Sequence, residues 1–216
     1  MFERLVCMSC KRIAVLVSGG GTNLQALIDA QSRGELGGGE IVAVISSKEG
    51  AYALERAKNA GIAGYVLPRK SFDSNQAMTV ALVEKLKQLE IDLVVLAGCM
   101  IIFTGELVEA YPNAVMNVHP ALIPSFCGQG FYGLHVHEEA LRYGVKLSGA
   151  TVHFVSEECD GGPIIAQKAV EVRCDDTPET LQRRIMEEAE WKLLPMAVSL
   201  FCQDKITVQG RTVIIR

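Results

Sequence analysis

No stretch of this 216-residue chain is both apolar and long enough to cross a bilayer. The longest apolar run, residues 93–103, is about half the length a membrane helix needs, and Gly98 interrupts it. Residues 1–12 carry charges early and no long apolar stretch, so no secretory signal is expected there. An excess of positive charge is missing as well. Lys and Arg number 21 against 25 Asp and Glu, for a net charge of −4 and a pI of about 5.6. Such a chain gives no electrostatic reason to expect nucleic acid as a partner. The seven cysteines are odd in number and lack framework spacing, which argues against a disulfide scaffold and for a reducing, cytoplasmic setting. Cys7-Met8-Ser9-Cys10 is a CxxC, but no second Cys or His pair answers it, so it reads as a plain terminus. Repeats, low-complexity segments and linkers are also absent, so a single domain is expected over 1–216.

What is present is an ordinary globular balance, 49% hydrophobic and 21% charged. Strand and helix patterns alternate, which argues for an α/β fold with a mostly parallel sheet. Strands are expected at 13–18, 41–46, 65–67, 93–97, 115–118, 146–155 and 164–172. Helices are expected at 23–32, where Leu24, Leu27 and Ile28 give the period, and at 51–60, stopped by Gly61. A capping box at Asp73-Ser74-Asn75-Gln76 opens a helix to about 89, and a short helix covers 104–110. Thr177-Pro178-Glu179 starts a helix that runs towards Pro195 and continues, kinked or broken there, to 201. Gln209-Gly210 marks a terminal hairpin. Residues 125–133 hold three glycines and no periodic pattern, which reads as a mobile loop.

Three motifs carry chemistry. Ser18-Gly19-Gly20-Gly21-Thr22-Asn23 follows a strand and opens a helix, a setting that presents free N–H groups to an anion. It is neither a dinucleotide fingerprint nor a P-loop: residue 24 is Leu, no acid ends the second strand, and no Gly-Lys-Ser/Thr follows. A single terminal phosphate is the expected ligand. Asn117-Val118-His119-Pro120 places an amide and an imidazole on one face of a strand that Pro120 must end. Open α/β sheets bind ligands at such strand ends. Asp160, in Cys159-Asp160-Gly161-Gly162, can return to the same edge, where a carboxylate favours the charged imidazole. The three groups together suit a tetrahedral oxyanion and the protons it moves. His135 and His137 are two apart near a helix start, a poor metal pair, and no metal is expected. His153, in mid-strand, reads as a core or supporting histidine.

The segments IAVLVSGGGTN (13–23), VVLAGCM (94–100), MNVHPALIP (116–124), GATVHFV (149–155) and CDGGP (159–163) resemble the phosphoribosylglycinamide formyltransferases, within the folate-dependent formyltransferases. The resemblance runs in order from about residue 11 to 201. It implies a formyltransferase fold: a Rossmann-like, mostly parallel sheet with helices on both faces. It implies a nucleotide-binding half at about 11–112 and a catalytic, folate-binding part at about 113–216. The implied activity is formyl transfer from 10-formyltetrahydrofolate, the co-substrate, to the amine of glycinamide ribonucleotide, in a monomer or homodimer. By this resemblance Asn117, His119 and Asp160 are catalytic, with His119 kept protonated by Asp160. Gly21, Thr22 and Asn23 hold the phosphate, and Glu190 meets the ribose hydroxyls. Met100, Ile101, Ile102, Phe103 and Asn117 receive the folate. Two departures stand out: Asn75 where many members carry an Arg at a folate-tail contact, and a longer loop after Pro124. The alternatives are another 10-formyltetrahydrofolate-using enzyme, a hydrolase or a tRNA or sugar formyltransferase, or a non-catalytic folate- or nucleotide-binding module. A tRNA enzyme is expected to carry a further basic domain, and a hydrolase a regulatory domain before residue 13.

Overall fold

The computed structural model describes residues 10–216. Cys7 lies outside the described residues, while Cys10 is exposed and free. The first half alternates β1 (Lys11–Val17), α1 (Thr22–Ser32), β2 (Gly39–Ser46), α2 (Tyr52–Asn59), β3 (Ala63–Val66), α3 (Asn75–Gln88), β4 (Leu93–Leu96), α4 (Gly105–Ala110) and β5 (Val115–His119). The second half holds α5 (Leu134–Tyr143), β6 (Leu147–Phe154), β7 (Ile164–Glu171), α6 (Pro178–Ile185), α7 (Trp191–Cys202), β8 (Ile206–Gln209) and β9 (Thr212–Ile215). The nine strands of the described residues form one sheet in the order β3-β2-β1-β4-β5-β6-β7-β9-β8. The pairs from β3 through β5 are parallel. β6 and β7 then run antiparallel to their predecessors. β9 joins β7 by a short parallel pairing and carries β8 antiparallel beside it.

The unbroken apolar runs of β1 and β4 are explained by helices on both faces of the sheet. Ile13, Val15, Val17, Leu93 and Val95 join one core with Leu24 and Leu27 of α1 and Leu194 and Val198 of α7. Their neighbours Ala14, Leu16, Val94 and Leu96 join a second core with Leu82, Val83 and Leu86 of α3. Each face thus takes every second side chain.

Several expected boundaries move. The short third strand shifts towards the N-terminus, to Ala63–Val66, and a 3₁₀ turn at Arg69–Ser71 follows it. At α3 the cap is Ser74 rather than Asp73. Ser74 Oγ accepts the Ala77 N–H at 3.0 Å, and alanine at that third position has no side chain to complete a box, while Gln76 reaches Glu106 Oε1 at 2.6 Å. The full box appears at α6, between Thr177 and Thr180. The long C-terminal helix is interrupted ahead of Pro195 rather than at it. A π turn, Met186–Glu190, separates α6 from α7, and Pro195 sits inside α7.

Candidate active site

The strand order reverses between β1 and β4, and there the C-terminal ends of β1, β4 and β5 lie side by side. This is the crevice where open α/β sheets take ligands. The glycine turn leaves β1, Met100–Phe103 leaves β4, and Asn117 and His119 end β5. Three of the motifs read from sequence therefore share one edge.

At the end of β5, His119 is buried. Its Nε2 donates to the Phe126 carbonyl at 2.8 Å, and its Nδ1 lies 3.5 Å from Asp160 Oδ2. Asn117 Nδ2 contacts Asp160 Oδ1 at 3.4 Å and His153 Nε2 at 3.2 Å. The last contact follows from register. Asn117 pairs with His153 and His119 with Thr151 across β5 and β6, so the two pairs face the same side. His153 is thus in the cluster, with Nδ1 donating to the Phe154 carbonyl at 2.8 Å. Thr151 anchors the root of the following loop, donating to the Ala121 carbonyl at 2.7 Å and accepting the Ile123 N–H at 3.1 Å.

Asp160 occupies the left-handed region, at φ 54°. Its turn is fixed by close packing: a Cβ on Gly162 would lie 1.8 Å from the Phe154 carbonyl oxygen, so only glycine fits. Burial alone would raise the Asp160 carboxyl. His153, His119 and the Gly128 N–H outweigh it and hold the group below the usual carboxylate range. His119 behaves otherwise than expected. Burial pushes its imidazole below the ordinary value, and the Asp160 charge and the Phe126 carbonyl restore only part of that. Burial thus favours the neutral ring, against the protonated form expected from the sequence.

The loop at 125–133 lies against this cluster. Besides the Phe126 carbonyl on His119, the Gly128 N–H donates to Asp160 Oδ2 at 2.9 Å. Phe126 packs edge-on to Phe131 and to Tyr143 of α5, and Phe131 stacks on His135. His135 is exposed and reaches Glu138 at 3.2 Å, whereas His137 is fully buried with neither ring nitrogen bonded. Burial, helped by nearby His119, pushes His137 down to about 4.

The glycine turn lies one strand beyond β4. Gly21 takes φ 72°, and a Cβ there would meet Ala53 Cβ at 2.7 Å. Asn23 is buried, and its Nδ2 donates to Glu190 Oε2 at 2.6 Å. The π turn thus delivers Glu190 to the start of α1. Burial pushes the Glu190 carboxyl up to about 7, against the pull of the Asn23 bond. Thr22 is exposed beside Met186. Along the β4 exit, Met100 and Ile102 are 57% and 55% exposed, an apolar surface beside polar groups. The Met100 N–H donates to Ser18 Oγ at 2.9 Å, and Asn75 Nδ2 donates to the Ile102 carbonyl at 3.3 Å. Ile101 and Phe103 are half-buried in the same segment.

The formyl transferase family model matches residues 11–198. A phosphoribosylglycinamide formyltransferase of Haemophilus influenzae is 39% identical over 199 residues, covering 92% of this chain and 91% of its own. A chloroplastic phosphoribosylglycinamide formyltransferase of Arabidopsis thaliana is 39% identical over 91% of this chain, which spans 67% of that relative's length. Among solved structures, glycinamide ribonucleotide transformylase 1 from Symbiobacterium toebii superposes with a TM-score of 0.89 at 43% identity. That match covers 95% of this chain and 93% of the other.

Proposed function

The chain belongs to the formyl transferase family, and from that premise we propose that it moves the formyl group of 10-formyltetrahydrofolate to the amine of 5-phosphoribosylglycinamide, in purine biosynthesis. The observation that carries this reading is the convergence of Asn117, His119 and Asp160 at one strand end, beside an apolar ledge with an anion-ready turn on its far side. The pterin rests on the Met100–Phe103 segment, within reach of Asn117. The phosphate takes the N–H groups of Gly21, Thr22 and Asn23, and Glu190 accepts from the ribose hydroxyls. The half at about 11–112 supplies the nucleotide site, and the part at about 113–216 the catalytic groups. The enzyme works on small molecules in the cytoplasm.

The transfer is direct. The glycinamide nitrogen attacks the formyl carbon, and the carbonyl electron pair moves onto oxygen. The Asn117 amide donates to that oxyanion, an interaction worth about 3 kcal/mol of barrier. His119 starts neutral because burial holds it so. It takes the proton that the attacking nitrogen loses, and the resulting imidazolium is stabilised by Asp160 and by the adjacent oxyanion. The intermediate then collapses, the bond to the folate nitrogen breaks, and His119 returns the proton to that leaving nitrogen. Each step uses side chains of this chain alone. To admit substrate, His119 and Asp160 must first release the Phe126 carbonyl and the Gly128 N–H.

The test is tetrahydrofolate release measured with and without the ribonucleotide. Release is expected only when the ribonucleotide is present; release without it would point to hydrolysis. Asn117→Ala and His119→Ala should each lower turnover about 100-fold or more with melting temperature nearly unchanged. Near wild-type turnover in both variants would remove these residues from the mechanism.

A further inference from the structure

Arg56, in the last turn of α2, holds its charge against the glycine turn. Its Nε donates to the Gly20 carbonyl at 2.8 Å, and its Nη1 donates to Gln25 Oε1 at 2.8 Å. The guanidinium also covers the Tyr52 ring, 4.9 Å from the centroid. These contacts keep it beside the first turn of α1, the positive end of that helix dipole. Opposite charge would be expected there, yet α1 has no acidic residue in its first turn. Among the described residues no carboxylate pairs with Arg56.

The backbone gives a second, independent observation. The Gly19 carbonyl accepts the Ala53 N–H at 3.1 Å, so α2 holds two successive carbonyls of the turn. In a trans peptide the C=O and the next N–H point in opposite directions. Tying both carbonyls to α2 therefore turns the N–H groups of Gly20 and Gly21 away from it. Among the described residues neither N–H finds a backbone acceptor. The first N–H groups of α1, from Thr22 and Asn23, have no intrahelical partner either. Beside them Asn23 Oδ1 is buried and unbonded, an acceptor left without a donor.

We infer that Arg56 is the positioning residue of a phosphomonoester site at this turn: its Nε fixes the Gly20–Gly21 peptide so that the Gly21 N–H faces the phosphate, as the Ala53 N–H does for the Gly20 N–H, and its charge offsets the dianion. The inference rests on the ribonucleotide reading above and adds Gly20 and Arg56 to it. Lysine cannot replace the arrangement, because one ammonium cannot bond the carbonyl and the amide while stacking on Tyr52.

The experiment compares steady-state kinetics of wild type, Arg56→Met and Arg56→Lys on glycinamide ribonucleotide and on the unphosphorylated glycinamide riboside. Arg56→Met should raise the KM for the ribonucleotide about 10- to 100-fold, the range of a hydrogen bond to a charged group. Its kcat and its KM for the folate should stay within about threefold of wild type, and kcat/KM for the riboside should not change. Arg56→Lys should fall between. Gln25→Ala, which loosens the arginine without removing it, should raise the same KM by a smaller factor, and it serves if Arg56→Met does not fold. Equal losses on the phosphorylated and unphosphorylated substrates, or no loss on either, would overturn the role of Arg56. A wild-type enzyme that does not prefer the ribonucleotide to the riboside would instead overturn the phosphate site itself.

Discussion

Glu190 is a carboxyl group that titrates near neutrality, and the cause is its place in the fold. Burial moves it up to about 7 from 4.5, so the folded protein keeps a proton that the unfolded chain has already lost. Unfolding then releases that proton between about pH 4.5 and 7, and stability falls as pH rises through this window. Glu190→Gln removes the penalty and can still accept from Asn23. It should be more stable than wild type at pH 8, by roughly 2–4 kcal/mol, and equally stable at pH 4. Denaturant titrations at the two pH values measure this, and equal stabilities at pH 8 would contradict it. His119 moves the other way. Asp160 opposes the effect of burial on it, so Asp160→Asn should lower its titration midpoint further. NMR titration of His119 in both proteins reads that shift; an unchanged or raised midpoint would detach Asp160 from His119. Neither residue's protonation is written in the sequence around it. A carboxylate near an imidazole is legible as a pattern, but which influence prevails depends on solvent exclusion by groups far along the chain.

Elements differ in how openly they show in the sequence. The strand, turn and helix at residues 11–32 are local, and apolar runs, glycines and helical spacing mark them well. The strand ending at Pro120 is equally plain. By contrast, His153 joins Asn117 only through the register of β5 against β6, and register belongs to two strands at once. The π turn at Met186–Glu190 is built from residues that favour ordinary helix, with no glycine or proline to mark it, so expectation settled on Pro195 instead. The missing capping box at α3 is a similar case, since the helix starts one residue later than expected and puts Ala77, not Gln76, at the third position. The glycine-rich loop at 125–133 was expected to be mobile; the structure shows it bonded to both His119 and Asp160. On the proposed mechanism those bonds compete with substrate, and the lid reading has the loop open and reclose as a cover that excludes water. Hydrogen exchange across 125–133 should therefore slow when both substrates are bound. Identical exchange in the free and doubly liganded protein would show that the loop is no lid.

At the scale of the whole molecule, one edge of the sheet collects every proposed site residue, and two cores pack on its faces. The bond between Asn23 and Glu190 crosses 167 positions of sequence, and α7, which follows Glu190 directly, packs on α1. This geometry bears on how the molecule is made. A chain leaving the ribosome presents its glycine turn before the partner carboxyl, which follows 167 positions later. Until Glu190 emerges the turn is half a pocket, so a nascent chain stalled before that residue should not retain the nucleotide.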